Sequence, residues 1–372
     1  MHYFTFAEKD TTLYETSQSM NAGLDEVLEV RKDVNETATT IDVSRILIRF
    51  DLAEVSKSIQ KGIIPKPEFI SGSRWWLNMY DAHPTALSVS QSLYAYPVSG
   101  SWTMGSGRSY DDPGTTDGAS WTYNHGENAA TQWTTLSGSG GTWISGSGYE
   151  ASQSFNHKSK DMRMNVTDIM KQWISGSIPN NGFMVKRSGS IGNTSTSTDE
   201  GNTTLFGNFS FFSSDTHTKY PPTLEVEWDD SKWSTGSLSA LSSGNLEDMT
   251  VYMKGLRPEY KEKSKAKFRV VGKERFPTAT YATSPANLTV KYLPSGSSFY
   301  SIVDAETDDM VVPFGSGSKL SCDSSGNYFN LWMDGYQPER YYKILYRIQS
   351  GSFTTDETDQ YFDEGFTFKV TL

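Results

Sequence analysis

One stretch of this 372-residue chain constrains its fold more than any other, and it runs from Ser44 to Leu52. Apolar and charged residues alternate along it, which is the period of a β-strand. The apolar set is Ile46, Ile48, Phe50 and Leu52, and the charged set is Arg45, Arg49 and Asp51. Leu47 interrupts the alternation and indicates that the second face is also partly covered. The stretch contains no Gly or Pro, and we interpret it as a core strand of a β-sandwich.

The composition extends this interpretation to the whole chain. Aromatic residues make up 13% of it, and 31 glycines accompany abundant Ser and Thr, which favours many short strands joined by turns. The formal net charge is −11, from 33 basic and 44 acidic residues. A negative net charge disfavours nonspecific binding to a phosphate backbone, so we expect no nucleic-acid partner.

The sequence gives no sign of membrane insertion or secretion. It has no run of about 20 apolar residues, and its first ten residues lack the basic and apolar regions of a signal peptide. Cys322 is the single cysteine, so no internal disulfide can form. We therefore expect no membrane partner and folding in a reducing cytoplasm, although secretion by another route stays open.

A Ser- and Gly-rich segment at 230–247 is the best boundary between domains. It separates a domain at 1–229 from a second all-β domain at 248–372. One helix is predicted in the first domain, at 168–174, with Asn165 or Thr167 as its N-cap and Gly176 after its end. A helix this short needs a sheet to pack against.

Two similar segments follow strand-like runs in the second domain: Gly255–Tyr260 and Gly335–Tyr341. The tyrosine of each, Tyr260 or Tyr341, could bond back to the backbone, as in the tyrosine corner of immunoglobulin-like sandwiches. We interpret the pair as a repeated strand–turn device rather than a binding site.

Four tryptophans lie in a Gly-, Ser- and Thr-rich excursion from Ser99 to Tyr149. They are Trp102, Trp121, Trp133 and Trp143. An unstructured loop of this length would be unusual, so we expect short strands or a folded excursion, anchored by these rings. In exposed loops, such rings can instead stack on sugars or contact a partner. They are the candidate binding residues.

The sequence shows no known motif of catalysis or cofactor binding. The five histidines are scattered and show no metal spacing with each other or with Cys322. There is no phosphate loop, dinucleotide fingerprint or nucleophile elbow. Asp111, Asp112 and Asp117 could offer oxygens to calcium, but turn formation is the commoner role of such residues. We expect no catalytic residue, no metal and no cofactor; a hydrolase is the weakest alternative because no pair of carboxylates can be placed from sequence.

The ordered series of segments across 1–229 resembles the DNRLRE-type domain, which is related to carbohydrate-binding module family 96. The matching segments are Asp10–Tyr14, Asn21–Val30, Ile46–Leu52, Trp121–Thr122, Asn165–Trp173 with Gly176, Pro179–Phe183, Phe212–Ser214 and Tyr220–Val226. The resemblance implies a jelly-roll-type β-sandwich with one short helix laid on it. The expected fold is therefore all-β, with this sandwich followed by a smaller immunoglobulin-like β-sandwich.

The whole chain also resembles virion structural proteins of large tailed bacteriophages, especially marine T4-like ones. The segments that carry this likeness are Tyr96–Trp102, Leu256–Lys261, Leu288–Pro294 and Tyr336–Tyr342. The resemblance implies a particle component assembled in a bacterial cytoplasm, although fold alone does not determine function.

Two functions follow from these resemblances. The first is a non-enzymatic structural protein of the virion, at the neck, tail or fibre attachment, that contacts other virion proteins through the loops at 99–149 and 188–203 in a symmetric homo-oligomer. The alternative is a glycan-binding module on a particle or cell surface, which could recognise host polysaccharide. The two functions are compatible.

Overall fold

The fold is described from a computed structural model of the chain. It covers residues 1–35, 40–66, 73–83, 85–87, 89–129, 131–133, 140–156, 160–189, 198–241, 249–276, 290–349 and 359–372. These ranges form two compact units. The N-terminal unit comprises Thr5–Val226, and the C-terminal unit comprises Met1–Phe4 and Glu227–Leu372.

Strands dominate the N-terminal unit and most lie in one large sheet. They are β1 (His2–Tyr14), β2 (Val27–Val30), β3 (Lys32–Val34), β4 (Ile41–Phe50), β5 (Arg74–Met79), β6 (Gln91–Pro97), β7 (Ala151–Phe155), β8 (Met162–Asn165), β9 (Phe183–Lys186), β10 (Phe209–Phe212) and β11 (Thr223–Glu227). The nine-stranded sheet has the order β7-β6-β9-β4-β1-β11-β5-β8, and β3 pairs with β4 outside this path. A second sheet pairs β10 with β2.

β4 corresponds to the core strand predicted at Ser44–Leu52. It lies in the middle of the large sheet, between β9 and β1. Ile46, Ile48 and Phe50 are buried on one face, as the alternation predicts. The other face is more than partly covered, because Arg45 and Leu47 are fully buried too. β4 is therefore a strand with two buried faces over most of its length, which accounts for the interruption at Leu47.

Two α-helices occur in the described part of the N-terminal unit, α1 (Leu52–Gln60) and α2 (Thr167–Ile174). The prediction of one helix is therefore wrong in number. Leu52 begins α1 instead of ending the strand, because the Asp51 side chain caps the helix by accepting a hydrogen bond from the Ala53 N–H at 2.8 Å. α2 has the predicted place, but Val166 is its N-cap residue.

The C-terminal unit consists of two sheets. Its strands are β12 (Met249–Lys254), β13 (Glu259–Lys261), β14 (Lys265–Glu274), β15 (Ser298–Asp304), β16 (Met310–Val312), β17 (Ser321–Asp323), β18 (Gly326–Trp332), β19 (Tyr341–Gln349) and β20 (Asp359–Thr371). One sheet has the order β12-β14-β18-β17 and the other β13-β20-β19-β15-β16. β20 thus lies inside its sheet, parallel to β13 and antiparallel to β19. The prediction of an all-β fold is confirmed.

Aromatic rings fill the core between these two sheets. Phe268 and Phe329 stack with centroids 5.1 Å apart, and Tyr300 stacks with Phe329 at 4.1 Å. Strands β14 and β18 contribute the first two rings and β15 the third. The inward positions of both sheets thus share one core, as a sandwich requires.

Only one of the two predicted tyrosine contacts involves the expected residue. The Tyr260 hydroxyl accepts a hydrogen bond from the Arg257 N–H at 3.1 Å. In the second segment, Tyr342 rather than Tyr341 bonds back, donating to the Gln337 carbonyl at 3.3 Å. Tyr341 is half-exposed, because alternation along β19 turns it away from the core.

Part of the predicted linker is tied into the C-terminal unit. The Ser234 N–H donates to the Cys322 carbonyl, and the Leu241 N–H donates to the Tyr292 carbonyl. Leu241 and Cys322 are both buried, and burial raises the pKa of the Cys322 thiol. Residues 242–247 of this segment, and Leu288–Thr289 of the Leu288–Pro294 segment, lie outside the described residues.

Candidate functional site

The structure places all four candidate tryptophans in one buried cluster of the N-terminal unit. Their exposed fractions are 3% for Trp102, 2% for Trp121, 2% for Trp133 and 9% for Trp143. Leu13, Leu47 and Met184, from β1, β4 and β9, belong to the same cluster. The described parts of the excursion (99–129, 131–133 and 140–149) therefore pack on the large sheet through its tryptophans.

Polar contacts fix the orientation of two of these rings. The Trp102 indole N–H donates to the Asn181 carbonyl at 2.8 Å, and that of Trp133 donates to the Ser120 carbonyl at 3.0 Å. The Lys9 ammonium lies 4.1 Å from the centroid of the Trp102 ring and donates to the Trp102 carbonyl. Burial lowers the pKa of Lys9. A buried indole normally needs such a partner for its N–H.

Beneath the excursion lies a buried ion cluster made of Arg45, Lys186 and Glu200. Arg45 Nη2 and Nε contact the two carboxylate oxygens of Glu200 at 2.8 and 3.1 Å. Lys186 Nζ lies 3.0 Å from Glu200 Oε2. The three side chains are at most 1% exposed. Glu200 therefore serves two buried cations at once, which limits the free-energy penalty of removing them from water.

The ion cluster also holds the excursion. Arg45 Nη1 donates to the Gly140 carbonyl at 2.6 Å. The Arg45 guanidinium lies 4.7 Å from the Trp121 ring and 5.1 Å from the Trp143 ring, and Lys186 Nζ lies 4.9 Å from the Trp143 ring. Cations over indole faces are stabilised by the ring quadrupole, more so when desolvated. Burial lowers the pKa of Lys186 to about 8.

The polar atoms of this cluster contact one another and nearby backbone carbonyls. Lys186 Nζ also donates to the Arg187 and Gly189 carbonyls at 2.6 and 3.1 Å. The faces of Trp121 and Trp143 that lie against Arg45 are covered, so a sugar could stack there only if the cluster opened. The arrangement connects β4, β9 and the segment that contains Glu200.

Sequence reasoning did not identify this cluster, although a signal for part of it exists. Arg45 directly precedes the apolar residues Ile46–Ile48 in a buried strand, and Lys186 ends the buried strand β9. A charged residue on a face covered by neighbouring strands must find a counter-charge. No pattern indicates that Glu200, 155 positions after Arg45, supplies it.

A separate open pocket of about 350 Å³ lies at the surface of the N-terminal unit. Its lining is Tyr14, Leu24, Asp25, Glu26, Val27, Glu29, Arg108, Ser109 and Tyr110. Three carboxylates and one guanidinium therefore face the same space. Tyr110 is 71% exposed, and its hydroxyl accepts a hydrogen bond from Arg108 Nη1 at 2.7 Å. None of these residues was a candidate in the sequence.

Hydrogen bonds hold the inner wall of this pocket. The Tyr14 hydroxyl donates to Glu29 Oε2 at 3.0 Å, and the Ser109 N–H donates to Asp25 Oδ1 at 3.0 Å. Burial raises the pKa of the Asp25 carboxyl, and burial together with the charge of Glu29 raises that of the Tyr14 hydroxyl. The wall offers carboxylate oxygens to a ligand that carries hydroxyl or amino groups.

The three aspartates considered for calcium do not converge. Asp117 accepts hydrogen bonds from the Ser106 N–H and hydroxyl, which lower the pKa of its carboxyl. Asp111 accepts from the Arg108 N–H at 2.8 Å and from the Thr115 hydroxyl at 3.0 Å. Among the residues that the structure describes, no group of three or more His, Cys, Asp or Glu could hold a metal ion.

Comparisons with known proteins do not assign the chain. No known family's model matches it, and a search of curated proteins finds no relative. In the described ranges, no helix is long and apolar enough to cross a membrane.

Proposed function

We propose that this protein is a non-enzymatic structural component of a tailed-phage virion, in the neck, tail or fibre-attachment region. It acts through protein–protein contacts within a symmetric homo-oligomer and with other virion proteins, after assembly in the host cytoplasm. The proposal builds on the resemblance of Tyr96–Trp102, Leu256–Lys261 and Tyr336–Tyr342 to phage virion proteins. The structural support comes from how the long excursion is held.

One observation carries the proposal: Glu200 joins Arg45 and Lys186 beneath the excursion, and Arg45 bonds to Gly140 within it. A contact surface needs loops that are already ordered, because ordering side chains and backbone on binding weakens association. Burying two cations, one carboxylate and four indoles to fix loop positions suits such a surface. The same groups are unavailable for chemistry.

Exposed aromatic side chains on the C-terminal unit are the proposed contact residues. Tyr341 on β19 is 50% exposed, and Tyr361 on the neighbouring strand β20 is 57% exposed. Tyr361 is held edge-on by Phe314, with centroids 5.7 Å apart. Tyrosines are enriched at interface centres because they bury a large area at a small entropy cost.

The test combines the particle and the isolated chain. We expect the protein in purified virions by mass spectrometry, and we expect density for its two units in a symmetric ring or shell in a map of the particle. Sedimentation of the recombinant chain should show an oligomer, and the double variant Tyr341→Ser/Tyr361→Ser should dissociate it. The matched control is Tyr252→Ser, which alters a 40% exposed tyrosine on the other sheet. A monomeric chain that is absent from virions would overturn the proposal.

The glycan-binding alternative is favoured by a different observation, the open pocket beside Tyr110. An exposed aromatic ring and carboxylates within one concave surface are the groups that stack on a sugar ring and bond its hydroxyls. The stacking residue would then be Tyr110 and not the four buried tryptophans. A glycan array should show a signal that Tyr110→Ala removes and Tyr341→Ala retains. An array without signal above background would eliminate this alternative.

A further inference from the structure

A buried lysine and an asparagine are in direct contact next to the ion cluster. Lys32, on β3, is 2% exposed, and its Nζ donates to Asn202 Oδ1 at 2.9 Å and to the Asp199 carbonyl. The ring of Phe206 covers the same amine, with its centroid 4.9 Å from Nζ. An amine in an enclosed, partly aromatic site thus touches the carboxamide of another side chain.

The surroundings favour the neutral, nucleophilic form of this amine. Burial lowers the pKa of Lys32 to about 8, and the charge of Arg187 acts in the same direction. A lysine activated by desolvation and a neighbouring cation can attack a carbonyl carbon. A far larger fraction of Lys32 is therefore neutral near pH 8 than for an exposed lysine.

The carboxamide is also prepared for attack. Asn202 Oδ1 accepts a second hydrogen bond from the Thr204 N–H at 2.9 Å. Attack at Cγ would place negative charge on this oxygen, and a backbone N–H already aimed at it stabilises such charge. The Thr204 N–H is thus in the position of an oxyanion donor.

We propose that Lys32 and Asn202 join in an intramolecular isopeptide bond. The Lys32 Nζ lone pair forms a bond to Asn202 Cγ, a proton passes from Nζ to Nδ2, and the Cγ–Nδ2 bond breaks. One ammonia leaves and one secondary amide remains, so the reaction requires no oxidant, reductant or co-reactant.

The proton needs a carrier between the two nitrogens. Asp199 and Glu200 both lie close enough for their charges to favour the Lys32 ammonium. Glu200 already contacts Arg45 and Lys186, so the proposed reaction assigns this role to Asp199, whose backbone carbonyl accepts from Lys32 Nζ. The secondary amide and the ammonia are both neutral, so the reaction leaves no new charge in a buried site.

The bond would join two residues that are 170 positions apart in the chain. It would hold the 198–202 segment, and with it Glu200, against β3 even when the rest of the unit opens. A covalent link over such a distance strongly restricts the unfolded chain.

The test is the intact mass of the full recombinant chain, followed by peptide mapping. We expect a mass lower than that of the sequence by one ammonia, and a branched peptide that contains both Lys32 and Asn202. Asn202→Ala and Lys32→Met should restore the unmodified mass. The matched control, Asn208→Ala, changes an asparagine whose Oδ1 accepts from the Lys32 backbone N–H at 3.3 Å, and it should keep the loss.

A second reaction that releases ammonia must be distinguished from this one. Asn181 precedes Gly182, a pair that can form a succinimide with the same change of mass. Hydroxylamine cleaves a succinimide and leaves an isopeptide intact. An unmodified wild-type mass, a loss that persists in Asn202→Ala, or a loss that hydroxylamine removes would each overturn the proposal. Peptide mapping of the wild-type chain decides the matter even if a variant fails to fold.

Discussion

Arg45 and Glu200 form a two-contact ion pair inside the N-terminal unit although 155 positions separate them in the chain. Both side chains are fully buried, and Lys186 contacts the same carboxylate. The pair connects the middle strand of the large sheet to the segment that follows residue 198. Arg45 also contacts the excursion, because its Nη1 donates to the Gly140 carbonyl.

Removing the carboxylate charge should destabilise the N-terminal unit. Glu200→Gln keeps the shape but leaves two buried cations without a counter-charge, and breaking a buried pair in this way costs about 3–5 kcal/mol. Urea unfolding followed by tryptophan fluorescence measures the change in the free energy of unfolding. Glu54→Gln is the control, since Glu54 pairs with Lys57 at the exposed surface of α1 and its loss should change stability by at most about 0.5 kcal/mol. Equal effects of the two variants would contradict the prediction.

The left-handed turn at Gly140 should not accept a side chain. An added Cβ would lie 2.3 Å from Arg45 Nη1 and 2.8 Å from Trp121 Cζ2. Gly140→Ala should therefore cost about 1–3 kcal/mol more than Gly176→Ala, because overpacking adds to the backbone strain. Gly176 has a similar φ of +75° against +81°, but no atom lies within 4 Å of its added Cβ. Thermal unfolding of both variants gives the comparison, and similar losses would show that Gly140 is not packed against Arg45.

The indole N–H of Trp102 should contribute measurably to stability. Trp102→Phe leaves the Asn181 carbonyl without its donor, and the loss of such a buried bond costs about 1–3 kcal/mol. Trp75→Phe is the matched control. Trp75 is equally buried, but its N–H has no hydrogen-bond partner within the described ranges, so the loss should be smaller. The free energies of unfolding in urea test the difference, and a larger loss at Trp75 would reverse the argument.

Stability should also depend on pH through Asp10, a fully buried carboxyl on β1. Burial raises its pKa from 3.8 to about 7, although the Ser214 N–H donates to Oδ2 at 2.7 Å. Between pH 3.8 and about 7 the folded chain holds a proton on Asp10 that the unfolded chain has released. The stability that neutral Asp10 adds to the folded state is therefore fully present below about pH 4 and is lost as the pH rises to about 7.

Asp10→Asn stays neutral and lacks this loss. Relative to the wild type, it should gain stability between pH 4 and pH 8, by at most about 4 kcal/mol at about 1.4 kcal/mol per pKa unit. Urea unfolding of both chains across this range provides the measurement. A difference that is constant with pH would show that Asp10 does not titrate as described.

Local patterns in the sequence predicted much of the fold. Alternation in Ile46–Phe50 located the middle strand of the large sheet. The alternation of apolar and polar residues in a strand involves only residues close in sequence, so a short segment is enough to recognise it. The boundary at Asp51 was missed because a strand and a capped helix follow each other without a glycine or proline.

The candidate site was less predictable because long-range pairing creates it. The four tryptophans were recognised as possible anchors, but what covers them depends on Arg45 and Lys186, on separate strands. Asp25 and Tyr110, which share the open pocket, come from segments 85 positions apart that have no common pattern. Charged residues in loops usually remain solvated, so their convergence becomes visible only in three dimensions.

The position of β20 inside its sheet sets an order of events during synthesis. Residues 1–4 are translated long before residues 359–371, yet both belong to a unit whose five-stranded sheet places β20 between β13 and β19. This unit therefore cannot complete its five-stranded sheet until β20 has been translated. Ribosome-bound chains that stop before residue 359 should leave it sensitive to protease, whereas the N-terminal unit can already be folded.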